Sequence, residues 1–215
     1  MIREALRYLG VKGQPDDALR GRLEALAAEL RERVMPRHVL RVFDLRREDG
    51  ATLLGDDVRL QGERTGRMLA ECERAVLMVC TLGAGFDAWM RTAQARDMAQ
   101  AVLLDALGSA WVERGCDAAE RELAARMPGM YLTDRFSPGY GDLPLGVQPE
   151  ILVATDALRR LGVQATESFL MNPQKTVTAI IGIAEKPQPA RVRGCAHCSM
   201  REACAYRKEG KTCEV

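Results

Sequence analysis

Four cysteines, Cys195, Cys198, Cys204 and Cys213, fall in the last 21 residues, with two, five and eight residues between successive members. Four thiolates in so short a segment can ligate zinc or a 4Fe-4S cluster, and the Cys-x-x-Cys start is common to both. Zinc sites usually present two closely spaced pairs. Here the second pair is far apart, which tilts the reading toward iron–sulfur, with zinc as the alternative and disulfides or free thiols behind both. His197 lies inside the first pair and is expected to be exposed rather than ligating. Arg201, Arg207, Lys208 and Lys211 would partly offset the charge of a cluster. The plainest alternative is a metal staple that only adds stability. Cys72, Cys80 and Cys116 lie in apolar segments and are expected in the core.

A second group of reactive side chains runs from Arg135 to Asp142, as Arg-Phe-Ser-Pro-Gly-Tyr-Gly-Asp. Arg135 offers a planar fork of donors suited to a carboxylate or phosphate. Gly139 and Gly141 flank Tyr140, so the backbone can approach a ligand and take positive φ. Pro138 restricts the unfolded loop and so pre-shapes it. Tyr140 supplies a ring face and a hydroxyl. Asp142 could meet a cationic amine. Together these groups would suit a small zwitterion. The competing reading is a surface turn with a solvated Arg135 and a Tyr140 that caps the core.

The rest of the chain must position these groups. Leu19, Leu23, Leu26 and Leu30 recur at helical period and predict a helix over 15–34, stopped by Pro36. Residues 39–45 predict a strand, and Asp49-Gly50 a turn. Residues 62–72 predict a short helix. The unbroken apolar run 75–82 predicts a strand buried on both faces. Residues 84–96 and 97–126 are helical in composition, with Gly108 or Gly115 placed to break or tighten the longer one. Residues 148–161 predict another helix and 176–183 the last strand. Pro187 and Pro189 then form a stiff connector. Few strands among long helices predict an α+β domain over 1–186, followed by a cysteine-rich metal-binding tail over 187–215.

Composition excludes several function classes. The 215 residues carry 31 Lys+Arg against 30 Asp+Glu, a balance that argues against a nucleic-acid protein held by bulk charge. No apolar run reaches the roughly 18–20 residues of a membrane span. The first residues lack the apolar stretch of a signal peptide, so the expected location is cytoplasmic, with no membrane partner. The two histidines, His38 and His197, leave little room for a His-rich metal site or a His general base. No G-x-G-x-x-G or Walker loop is present, which argues against nucleotide binding by those motifs.

Arg-x-x-Pro-Gly-Tyr, here Arg135 to Tyr140, resembles the S-adenosylmethionine-binding signature of the cobalamin-dependent methionine synthase activation domain. Thr166-Glu167-Ser168-Phe169-Leu170-Met171-Asn172-Pro173 is similar to that family's Thr-Glu-Ser-x-x-Met-x-Pro stretch, and Thr176-Val177-Thr178 to the Ser-Val-Ser after it. The spacing between the two motifs also matches. Asp105 to Trp111 resembles the family's helix upstream of the loop, and the likeness spans roughly residues 70–184.

The resemblance implies a twisted antiparallel sheet flanked by long helices. It implies a shallow groove for S-adenosylmethionine, with Arg135 on its carboxylate and Ser137, Gly139 and Tyr140 lining it. Ser109 stands where the family's helix can carry an acidic contact, which leaves Glu113 or Asp142 as candidates for the amine. No tyrosine precedes Pro187 to match the family's later one. As a free-standing chain it more closely resembles the separate activation proteins that serve split synthases or other corrinoid methyltransferases. The implied function is reductive reactivation. S-adenosylmethionine would methylate cob(I)alamin on a corrinoid partner such as methionine synthase, and an electron donor protein would supply the electron. The iron–sulfur tail would relay that electron. Two alternatives stand beside this reading: an iron–sulfur activator that does not use S-adenosylmethionine, and a metal-stapled interaction domain without catalysis.

Overall fold

The computed structural model describes residues 1–56 and 58–188, together with 202, 205–208 and 210. The metal-ligand candidates Cys195, Cys198, Cys204 and Cys213 lie outside the described residues, as does His197.

Helix α1 (Ile2–Tyr8) and helix α2 (Asp17–Arg33) open the chain. Asp16 caps α2, accepting a hydrogen bond from the Leu19 amide at 2.7 Å. Strand β1 (Arg37–Glu48) turns at Asp49 and Gly50, with φ of 50° and 74°, into β2 (Ala51–Leu54) and then β3 (Val58–Leu60). Two consecutive positive φ values match the twist of a tight hairpin, which is why an Asp-Gly pair sits there. Helix α3 (Glu63–Met68), strand β4 (Arg74–Thr81), helix α4 (Ala84–Arg96) and helix α5 (Met98–Arg126) follow. After β5 (Tyr131–Leu132) come α6 (Gln148–Ala154), α7 (Ala157–Leu161), the β6–β7 pair (Gln164–Ala165 and Met171–Asn172) and β8 (Thr176–Ala184).

The main sheet has the order β3-β2-β1-β4-β8-β5, and every neighbouring pair is antiparallel. This is the expected α+β class. The central strands β4 and β8 are buried on both faces, which explains their unbroken apolar sequences. Val76, Met78, Cys80, Ala179, Ile181 and Ile183 face a core shared with α1, α2, α4 and α5. Ala75, Leu77, Val79 and Ile180 face a second core with α3, α6 and α7. The alternation is the period of two of a strand. Cys72, Cys80 and Cys116 are all buried, as their apolar neighbours predict.

Several sequence expectations need correcting. Helix α5 runs unbroken through Gly108 and Gly115. Both glycines serve close packing instead: a Cβ at 108 would sit 2.3 Å from Phe86 Cζ, and one at 115 would sit 2.5 Å from Pro36 Cβ. The helix expected over 148–161 divides at Thr155 and Asp156, where Asp156 takes a φ of 53°. A tertiary contact supports the division, because Arg41 of β1 donates to the Ala154 carbonyl at the end of α6, and Arg37 donates to the Leu161 carbonyl at the end of α7 at 2.9 Å. Strands β2 and β3 extend the hairpin past the turn that the sequence marked.

Candidate functional site

The Arg135–Asp142 loop is tied to the sheet before it turns outward. Phe136 and Ile180 exchange backbone hydrogen bonds of 3.0 and 2.8 Å. Gly139, at φ +86°, donates to the Leu143 carbonyl at 2.9 Å, and the Tyr140 amide donates to the Ser137 carbonyl at 3.2 Å. A side chain at 139 would be strained there. Asp142 faces away from any ligand role. Its carboxylate accepts from the Arg64 amide at 2.8 Å and so fixes the loop to the start of α3.

The surface-turn reading has the exposures reversed. Arg135 is the buried member, with only 4% of its side chain exposed. Tyr140 is 70% exposed, so its ring is not a cap on the core. The Arg135 guanidinium meets three carboxylates from one face of α5. Nη1 lies 2.8 Å from Asp117 and 3.3 Å from Glu120, and Nη2 lies 3.1 Å from Glu113. Positions 113, 117 and 120 are spaced by four and three, so a helix stacks them along one stripe. Burial works against the guanidinium charge, but Glu120, Asp117, Cys116 and Glu113 outweigh it and hold the proton more tightly than usual.

Beside this cluster opens a groove of about 430 Å³. Its walls are Glu113 of α5, Arg135 to Pro138 and Tyr140 of the loop, Gln148 of α6, Met171 of β7, and Thr176 to Thr178 of β8. Of the residues predicted for the site, the structure brings Arg135, Ser137, Tyr140 and Glu113 together on this groove. Gly139 shapes the turn without lining it. Ser109 is not on the wall either. Its hydroxyl accepts from Lys175 Nζ at 2.8 Å, and Lys175 also pairs with Asp105 at 2.9 Å. A lysine thus occupies the neighbourhood in which the family resemblance places an acid.

Gln148 is the wall residue that motif reasoning missed. It is buried, donates to the Phe169 carbonyl and accepts from Thr178 Oγ1 at 3.1 Å. A glutamine at the start of a helix carries no sequence signal of that role. Thr176 is likewise held, with its hydroxyl 2.7 Å from that of Thr81.

Gln148 and Met171 also wall a second cavity of about 610 Å³, bounded by Asp87 and Arg91 of α4 and by the turn Thr166–Leu170. In that turn Phe169 has a φ of 63°, an uncommon value for a bulky residue, and the Leu170 amide donates to Thr166 Oγ1 at 3.1 Å. Tyr140, Leu145, Phe169 and Leu170 are exposed apolar side chains around the two openings. Among the described residues no cluster of His, Cys, Asp and Glu is arranged to hold a metal ion, and no helix is long and apolar enough to cross a membrane.

No family model matches the chain, and no curated protein matches it. A solved structure does. The crystal structure of the MetH reactivation domain bound to AdoHcy superposes with a TM-score of 0.63 at 17% identity, over 97% of this chain and 82% of that one. The chain has the fold of the MetH reactivation domain. The six-stranded antiparallel sheet with helices on both faces is that fold here, and the groove lies where the start of β8, the loop after β5 and helix α5 converge.

Proposed function

We propose that this chain reactivates a corrinoid methyltransferase, of which methionine synthase is the leading candidate, by binding S-adenosylmethionine in the groove beside Arg135. One observation carries the reading. The Arg135–Tyr140 motif and the Thr176–Thr178 segment, far apart in sequence, both line a single groove in a reactivation-domain fold. The neighbour with that fold was solved with AdoHcy, the demethylated form of the ligand proposed here.

The chemistry asks the protein for positioning. Inactive cob(II)alamin on the partner takes up one electron to become cob(I)alamin. Its cobalt then attacks the sulfonium methyl carbon of S-adenosylmethionine. The cobalt–carbon bond forms as the carbon–sulfur bond breaks, and the bonding pair leaves on a neutral thioether. No proton moves, so no general base is needed. The chain's contribution is to hold the sulfonium in line with cobalt and to exclude water. Arg135 would anchor the ligand's carboxylate, Ser137 and Tyr140 would border its nucleoside, and Gly139 would hold the loop in shape. The exposed apolar rim of Tyr140, Leu145, Phe169 and Leu170 suits a surface that a corrinoid protein covers.

The tail fits the same scheme. Cys195, Cys198, Cys204 and Cys213 supply a four-thiolate donor set, which suits a 4Fe-4S cluster or zinc. A cluster there would supply one-electron chemistry. The cysteines would hold it, and an electron donor protein would feed it. The three carboxylates on Arg135 favour a second reading, in which that guanidinium is wholly structural and the chain activates a corrinoid protein reductively, without S-adenosylmethionine.

The test is an anaerobic reactivation assay with a cob(II)alamin-loaded methyltransferase, a reductant and methyl-labelled S-adenosylmethionine. Label on cobalt that requires the chain supports the leading reading. Reduction of cobalt without label transfer supports the second.

A further inference from the structure

We propose that Glu113 and the ligand's carboxylate exchange places on Arg135, which makes Glu113 the residue that selects a zwitterionic ligand. The inference rests on the reading that the groove takes S-adenosylmethionine, and it assigns how the amino-acid end of that ligand is recognised.

The three acids around Arg135 are not equivalent. Asp117 and Glu120 face Nη1, while Glu113 faces Nη2 at 3.1 Å. Among the described residues that wall the groove, Glu113 is the one carboxylate and Arg135 the one cation. A ligand carboxylate that enters the groove therefore meets Nη2 from the side where Glu113 already sits. A guanidinium with 4% of its side chain exposed does not move out to meet it, because its other nitrogen stays between Asp117 and Glu120. In the exchange the ligand takes over the Nη2 contact and Glu113 swings off, which spares the groove two carboxylates side by side on one nitrogen.

The exchange leaves no buried charge bare. Arg135 trades one carboxylate for another. Glu113 is 35% exposed, so it has room to turn. Once displaced it is the anion nearest the ligand's α-ammonium, which lies one carbon from the ligand's carboxylate. A ligand with an amine and no carboxylate cannot start the exchange, so Glu113 stays on Arg135 and the amine finds no anion there. A ligand with neither group gains nothing from this end of the groove. Selectivity thus arises from one residue that serves the empty site and the filled site in different ways.

The coupling between residue 113 and the ligand's carboxylate is measurable. Wild type and Glu113→Gln are titrated calorimetrically with S-adenosylmethionine and with its decarboxylated form, which keeps the amine. Wild type is expected to bind the complete ligand about tenfold or more tightly than the decarboxylated one, the scale of one charge-assisted contact. Glu113→Gln should weaken the complete ligand about tenfold and change the decarboxylated one by less than about twofold. Asp117→Asn alters the Nη1 side, and should leave the ratio of the two affinities within about twofold of wild type. Circular dichroism confirms that each variant is folded. Equal losses for both ligands in Glu113→Gln would mean that Glu113 meets the amine without exchanging, and would overturn the proposal while sparing the groove. Failure of wild type to bind either ligand would overturn the groove reading and this proposal together.

Discussion

Replacing Arg135 with alanine should destabilise the unliganded fold by about 3 kcal/mol, on the scale seen when one partner of a buried ion pair is removed. The structure sets that figure. The guanidinium is almost fully buried and makes charge-assisted hydrogen bonds of 2.8 Å to Asp117 and 3.1 Å to Glu113. Each such bond contributes about 1.5–3 kcal/mol when buried. Asp117, Glu113 and Glu120 are 49%, 35% and 29% exposed, so water already screens them and the lower part of that range applies. Loss of the packed aliphatic stem adds roughly 1 kcal/mol. Without the cation, three carboxylates on one helix stripe face each other, which adds a small salt-dependent repulsion. Urea unfolding followed by circular dichroism is the assay. With a slope of about 2 kcal/mol per molar, the midpoint should fall by about 1.5 M. Arg135→Lys should recover part of this, because one ammonium cannot span both sides of the fork. A midpoint shift below about 0.25 M would refute the reasoning, and would mean that the cluster does not anchor the loop.

Gly108→Ala should cost about 2 kcal/mol net, because the new methyl overlaps the Phe86 ring by more than a better helix residue returns, and thermal unfolding measures it. The Cys72 thiol gives a pH signature. Burial pushes it up from 9.0 to about 11, so the fold keeps its proton after the unfolded chain has lost it. Its contribution is full below about pH 9 and falls as pH rises toward 11, by about 2–3 kcal/mol at the upper end. Urea titrations of wild type and Cys72→Ala at pH 8 and pH 10.5 should therefore converge at the higher pH; parallel behaviour would count against it. Cys198→Ser should abolish metal binding by the anaerobically prepared chain and leave the circular dichroism of the domain unchanged, and retained metal would remove Cys198 from the ligand set.

The sheet was legible where residue pattern and burial coincide. The apolar run of β4 read as a strand covered on both faces and that of β8 as a strand, while the periodic leucines of α2 and the helical composition of α4 and α5 placed those helices within one or two residues of their observed ends. Less legible were elements whose form depends on distant partners. Nothing local at Thr155 and Asp156 announces a helix break; Arg37 and Arg41, more than a hundred residues earlier, hold the two carbonyl ends. Strands β2 and β3 are too short to show alternation.

At the site, the glycines and proline of the loop announced its shape. The burial of Arg135 did not follow from them. The acids at 113, 117 and 120 share one helical stripe that the sequence reading did not single out, and only the packing of α5 against the loop turns it into a guanidinium cage. Gln148 became a wall residue through its contacts to Thr178 and Phe169, which no spacing rule supplies.

The central claim is that the groove takes S-adenosylmethionine, and an anaerobic calorimetric titration of the wild-type chain with that ligand tests it most directly. The account predicts saturable binding of one molecule per chain, weakened by Tyr140→Ala, a change at an exposed wall residue that leaves the fold intact. Absence of heat and of saturation at millimolar ligand, with the chain folded, would contradict it.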